Sequence, residues 1–201
     1  RGAGLGLLAG VLFFGLLLGW MRVIGWDAWL LLTVFWALWF ALVGLGTALV
    51  TRLPAAPIWV ASLWVLQEAL RARIPFGGFP WGDLAFAQPD TPFARLAPLG
   101  GSPLVTFGVA FVGAAIVTLV LDHRAGRQRL AVAWFAAAAA ITLVPLALPL
   151  PVSGDTDGGA PTAVGAIVQG GTPQVGMGAM DVRRAVLDNH VRVDATAHIP
   201  L

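Results

Sequence analysis

The chain has 201 residues, of which 58% are hydrophobic and only 11% charged, with a formal net charge of +2. Soluble domains run at roughly 45–50% and 25%, so this composition belongs with membrane proteins. The arginines stand at the ends of apolar runs instead of forming one basic stripe, which excludes a nucleic-acid binder. Cysteine and lysine are both absent, and Glu68 is the only glutamate. Within these residues no disulfide, thiolate metal site or cysteine nucleophile can form. The sequence opens at Arg1 and its first methionine is Met21, so it is expected to be a fragment. The opening apolar run has no basic leader region or cleavage site of a secretory signal.

Crossing about 30 Å of hydrocarbon takes about 20 helical residues, and five apolar runs approach that length. They cover about 2–20, 28–50, 57–70, 103–121 and 130–150. Together they predict an α-helical integral membrane bundle over 1–151. The third run is the shortest and carries Glu68. Pro145 and Pro149 bend or end the fifth. Gly2, Gly6 and Gly10, then Gly15 and Gly19, are spaced for close helix approach. Packing inside the bundle explains that spacing better than a dimer.

The link between the fourth and fifth runs packs Arg124, Arg127 and Arg129 between two spans. Arginine-dense short loops stay in the cytoplasm, so everything after Pro151 is expected outside. Residues 152–160 read as a polar linker. Thr162 to Val168 reads as a buried strand, and Asp181 to about Asp194 as a helix. A strand followed by a helix, over 161–201, looks like the truncated start of a soluble α/β domain.

The stretch from Gln67 to Gly82 is the most informative. A carboxylate at membrane depth is costly and faces protein, water or a partner. The plain reading of Glu68 and Arg71 is an i,i+3 ion pair worth a few tenths of a kcal/mol, on the order of 0.2–0.5. Gly77-Gly78-Phe79-Pro80-Trp81 is a tight turn that carries two aromatic rings to headgroup level. By physics alone it is an interfacial anchor first and a lipid contact second. His190 and His198 have no companions at ligand spacing, so no metal or other cofactor is expected.

An acidic residue and an arginine closing a span, followed by Phe79-Pro80-Trp81-Gly82 and Leu84-Ala85-Phe86-Ala87-Gln88, resemble the signature loop of bacterial apolipoprotein N-acyltransferases. Ala166-Ile167-Val168-Gln169-Gly170 with Pro173-Gln174 resembles the opening strand of that family's nitrilase-like domain. Asn189-His190-Val191-Arg192 is similar to the helix that follows in actinobacterial members. Two departures stand out. Asp83 occupies a position where a basic residue is common, and Gly171 replaces the usual Asn after Gln169-Gly170.

The resemblance implies a plasma-membrane enzyme. It moves an acyl chain from a phospholipid to the N-terminal lipidated cysteine of an apolipoprotein, through a Glu–Lys–Cys triad in the extracytoplasmic domain. None of the triad can be assigned here, so this chain alone is expected to be inactive. The candidate lipid-access loop comprises Glu68, Arg71, Phe79, Pro80, Trp81 and Gln88. Gln169, Gly170 and Pro173 mark the first nitrilase-like strand. The implied partners are the phospholipid donor, the diacylated acceptor and the bilayer. The alternative is a non-catalytic membrane anchor, or a partner of a polyprenyl-phosphate mannosyl synthase.

Overall fold

A computed structural model describes residues 1–147 and 183–196. Six helices run in order: α1 (Gly2–Leu17), α2 (Trp26–Val50), α3 (Ala56–Arg71), α4 (Ala97–Arg124), α5 (Gln128–Ala147) and α6 (Arg183–Thr196). Short 3-10 turns cover Gly19–Val23, Leu84–Ala87 and Pro92–Leu96. No strand occurs among the described residues. The expected linker 152–160, the strand at Thr162–Val168, and Gln169, Gly170 and Pro173 lie outside them.

Among the described residues, three helices are long and apolar enough to cross a membrane: Trp26–Val50, the Pro92–Arg124 segment and Gln128–Ala147. The other two expected spans, α1 and α3, have 16 residues each, or about 24 Å at 1.5 Å per residue. The apolar residues of α1 and α2 point mostly outward: Leu5, Leu12 and Leu16 are exposed, as are Leu31, Leu42 and Leu49. Water would penalise such surfaces; a lipid environment accepts them.

The chain divides into two compact units, one holding Arg1–Ala9 with Leu38–Gly154, the other Gly10–Ala37 with Asp155–Leu201. In the first, α3 and α5 both run antiparallel to α4. Ala61 of α3 meets Phe111 and Ala115 of α4, with Trp134 and Ile141 of α5 packed around them. Alanine at these contacts lets the backbones approach. The glycine spacing of α1 finds its partner in the same unit. A Cβ on Gly6 would lie 2.2 Å from the Phe40 carbonyl oxygen, and one on Gly44 2.4 Å from that of Gly2. The packing reading of that spacing therefore holds for Gly2 and Gly6.

In the second unit, Phe14, Leu18, Trp36 and Ala37 are buried. The Trp29 indole donates to the Gly15 carbonyl at 3.1 Å. Arg22 lies over the Trp26 and Trp29 rings, 5.4 and 5.7 Å from their centroids. That arrangement ties the Gly19–Val23 turn to the start of α2.

Candidate functional site

The site begins on the last turns of α3. Trp64, Gln67, Glu68 and Arg71 recur at helical spacing, so they share one face. Gln67, Glu68 and Arg71 are buried there, Arg71 at only 1% exposure. A buried guanidinium costs several kcal/mol to desolvate (order of magnitude), so partners have to compensate it.

Those partners come from the chain that follows. After Arg71 the backbone turns through Gly77 and Gly78, both at positive φ. Gly78 has no substitute: a Cβ would fall 2.1 Å from the Ala72 carbonyl. The returning strap starts with Phe79 N–H donating to the Arg71 carbonyl at 2.7 Å. The Arg71 side chain then grips it. Nη1 donates to the Phe79 carbonyl at 2.8 Å and also to the Trp81 carbonyl. Nη2 meets Asp83 Oδ1 at 2.6 Å.

Glu68 holds the next segment. Its Oε1 accepts from Leu84 N–H at 2.9 Å and from the Trp64 indole at 3.1 Å, while Oε2 accepts from the Thr106 hydroxyl at 2.7 Å. The carboxylate thereby joins α3, the first residue of the Leu84–Ala87 turn, and α4. Burial pushes the Asp83 carboxyl above its usual range, and the Arg71 guanidinium offsets part of that rise.

The close ion pair that Arg71 forms is thus with Asp83, twelve residues on, while Glu68, one turn earlier, attracts it at longer range. The i,i+3 reading is corrected for a physical reason. The strap offers a carboxylate and two carbonyls arranged around the planar fork, a match that a neighbour on the same helix cannot provide. Glu68 is left to neutral donors.

The loop residues separate into two groups. Phe79 and Trp81 give their backbone carbonyls to the knot. The rings pack against each other at 5.5 Å, and Trp81 stays 49% exposed. Pro80 is exposed at the bend between them. Gln88 stands apart: its carbonyl and Oε1 both accept from the Thr91 hydroxyl at 3.0 Å, closing a separate turn. Phe76 is fully exposed and holds a left-handed φ of +56°.

Sequence reasoning missed Trp64 and Thr106 as members of the site. A hydroxyl inside an otherwise apolar run was the available signal for Thr106, since a buried hydroxyl must find a partner. Chemically, Glu68 accepts three hydrogen bonds and Arg71 is an enclosed donor. They fix a backbone, and the groups presented outward are aromatic.

Apolar spanning helices with a buried ionic knot that pins an aromatic loop define a helical membrane domain. The family model of the apolipoprotein N-acyltransferase N-terminal domain matches residues 1–115, which include every residue of the knot. The chain belongs to that family. An apolipoprotein N-acyltransferase of Mycolicibacterium smegmatis is 40% identical over 203 residues, covering 95% of this chain and 34% of that protein. One from Pseudomonas putida is 39% identical over 94 residues, 47% of this chain and 17% of its own length. One from Neisseria meningitidis serogroup B is 46% identical over 57 residues, 27% and 11%. The chain therefore spans about a third, or less, of the length of these relatives. No solved structure is a significant match.

Proposed function

We propose that this chain is the membrane scaffold of an apolipoprotein N-acyltransferase of the bacterial plasma membrane. The whole enzyme takes an acyl chain from a phospholipid and transfers it to the N-terminal amino group of a diacylated apolipoprotein. The observation that carries this reading is the 40% identity over 95% of the chain to the Mycolicibacterium enzyme. In this reading the knot sets the Phe79–Asp83 strap at the membrane surface. Phe76 and Trp81 face the lipid substrates. Five crossings, α1 to α5, and a cytoplasmic α4–α5 loop complete the scaffold. In this reading residues 161–201 begin the nitrilase-like domain, and the triad is supplied by the remainder of the enzyme.

The lack of Cys and Lys favours a second reading for the 201 residues taken alone: a non-catalytic platform, with a polyprenyl-phosphate mannosyl synthase as one candidate partner. A chimera separates the two. The aligned segment of the Mycolicibacterium enzyme is replaced by this chain, and the chimera is expressed in cells depleted of their own N-acyltransferase. Mass spectrometry then reads lipoprotein acylation. Triacylated product is the expected result. Diacylated lipoprotein alone, with the chimera at normal membrane levels, overturns the enzyme reading.

A further inference from the structure

A cavity of about 810 Å³ runs along the α3–α4 pair, from Trp64 and Leu84 beside the knot to Asp122 and Arg127 at the far end. Its size falls within the ~300–1,000 Å³ usual for small-molecule sites. On α4 its wall runs from Ala110 to Leu121, a rise of about 16 Å at 1.5 Å per residue. That is close to half the ~30 Å hydrocarbon core, the depth of one leaflet. The wall is mostly apolar: of its hydroxyls, those of Thr51 and Thr118 are spent on the Ala48 and Ala114 carbonyls, and Thr47 adds one more. Trp64 and Leu84, both held by Glu68, close the inner end. At Gly113 a Cβ would meet nothing within 4 Å.

The outer end is charged in one sense. Asp122 is buried and accepts from Arg127 Nε at 2.8 Å and also from Nη2, while the Arg127 side chain remains 56% exposed. Asp122 therefore orients a guanidinium whose exposed part stands at the cavity mouth. Arg52 before α3, Arg124 at the end of α4 and Arg129 at the start of α5 are exposed near the same end. An apolar slot one leaflet deep beneath a fixed, exposed guanidinium matches an acyl chain with a phosphate above it.

We propose that this cavity binds one membrane phospholipid with an anionic headgroup. Its phosphate lies on Arg127 and one acyl chain lies along α4 toward Trp64. The headgroup end is distant from the strap, and the site takes no part in acyl transfer. Its occupant fills the space among α3, α4 and α5.

Native mass spectrometry of the purified 201-residue protein with phosphatidylglycerol or phosphatidylcholine tests it. One retained phosphatidylglycerol is expected, with phosphatidylcholine at least fivefold weaker. Arg127→Gln should bring the two lipids level, and Gly113→Phe should abolish retention of both. Should Gly113→Phe fail to fold, a phosphatidylglycerol with a mid-chain photolabel decides on the unaltered protein. Labelling confined to the peptide 110–121 supports the site. Label spread over the outer faces of α2 and α5 refutes it. So do equal retention of the two lipids by the unaltered protein, and crosslinks showing a second copy in the slot. None of these readouts depends on acyl transfer, so failure here leaves the enzyme reading standing, and the reverse.

Discussion

Arg71→Ala is the most demanding perturbation of the knot. It removes the donors to two carbonyls and strands Asp83, whose side chain is only 14% exposed. Breaking a buried ion pair from one side costs about 3–5 kcal/mol, and we take the lower end because Asp83 can relieve its charge by protonation. At ~2–4 °C per kcal/mol for a chain of this size, the melting temperature should fall by about 6–12 °C. Tryptophan fluorescence of the detergent-purified protein reads the melt. Hydrogen exchange at Leu84 N–H reads the strap directly, since that amide is held by Glu68 beside the lost clamp. Arg73→Ala is the control: Arg73 is exposed and bonds only the Ala69 carbonyl at 2.6 Å, so the change should stay within about 0.5 kcal/mol. Adding Asp83→Ala to Arg71→Ala should recover part of the loss, because the stranded carboxylate is gone. Arg71→Ala melting with wild type, with unchanged exchange at Leu84, would refute the knot as the strap's support.

In the chimeric enzyme, Trp81→Ala should lower turnover several-fold at unchanged expression, while Trp59→Ala should not. The two indoles are 49% and 47% exposed, so equal rates would mean that both merely anchor. The 201-residue protein incubated with phospholipid and a diacylated lipopeptide should give no hydroxylamine-sensitive acyl adduct, since it has no thiol; such an adduct would overturn the assignment of chemistry to other residues. Alkaline phosphatase fused after Gln128 should be inactive and after Gly159 active, and activity at the first position would reverse the topology. Thr106→Val should destabilise by about 1–3 kcal/mol by stripping Glu68 Oε2 of its donor, with an unshifted melt counting against the Glu68–α4 link.

The positions of the long apolar helices could be read from the sequence because membrane helices obey a one-dimensional rule. The runs expected at 28–50 and 130–150 are described as Trp26–Val50 and, as far as residue 147, Gln128–Ala147. The helix expected at 181–194 appears as Arg183–Thr196. The run expected at 103–121 matches the continuous part of the fourth helix. The turn that starts at Ala97 is separated from it by a kink at Gly100 and Gly101, whose backbone is non-helical. No hydropathy rule marks such a break. The family, too, was legible, because Phe79-Pro80-Trp81-Gly82 is a local string whose order folding does not alter.

Tertiary structure alone decided who pairs with whom. Arg71 has an acid three residues before it in sequence and takes the one twelve residues after it. Glu68 takes a hydroxyl 38 residues away. Helical spacing fixes only which side chains share a face; the returning strap and α4 decide which partners arrive there. A buried ion accepts the partner whose geometry repays its desolvation, and sequence distance does not enter that energy.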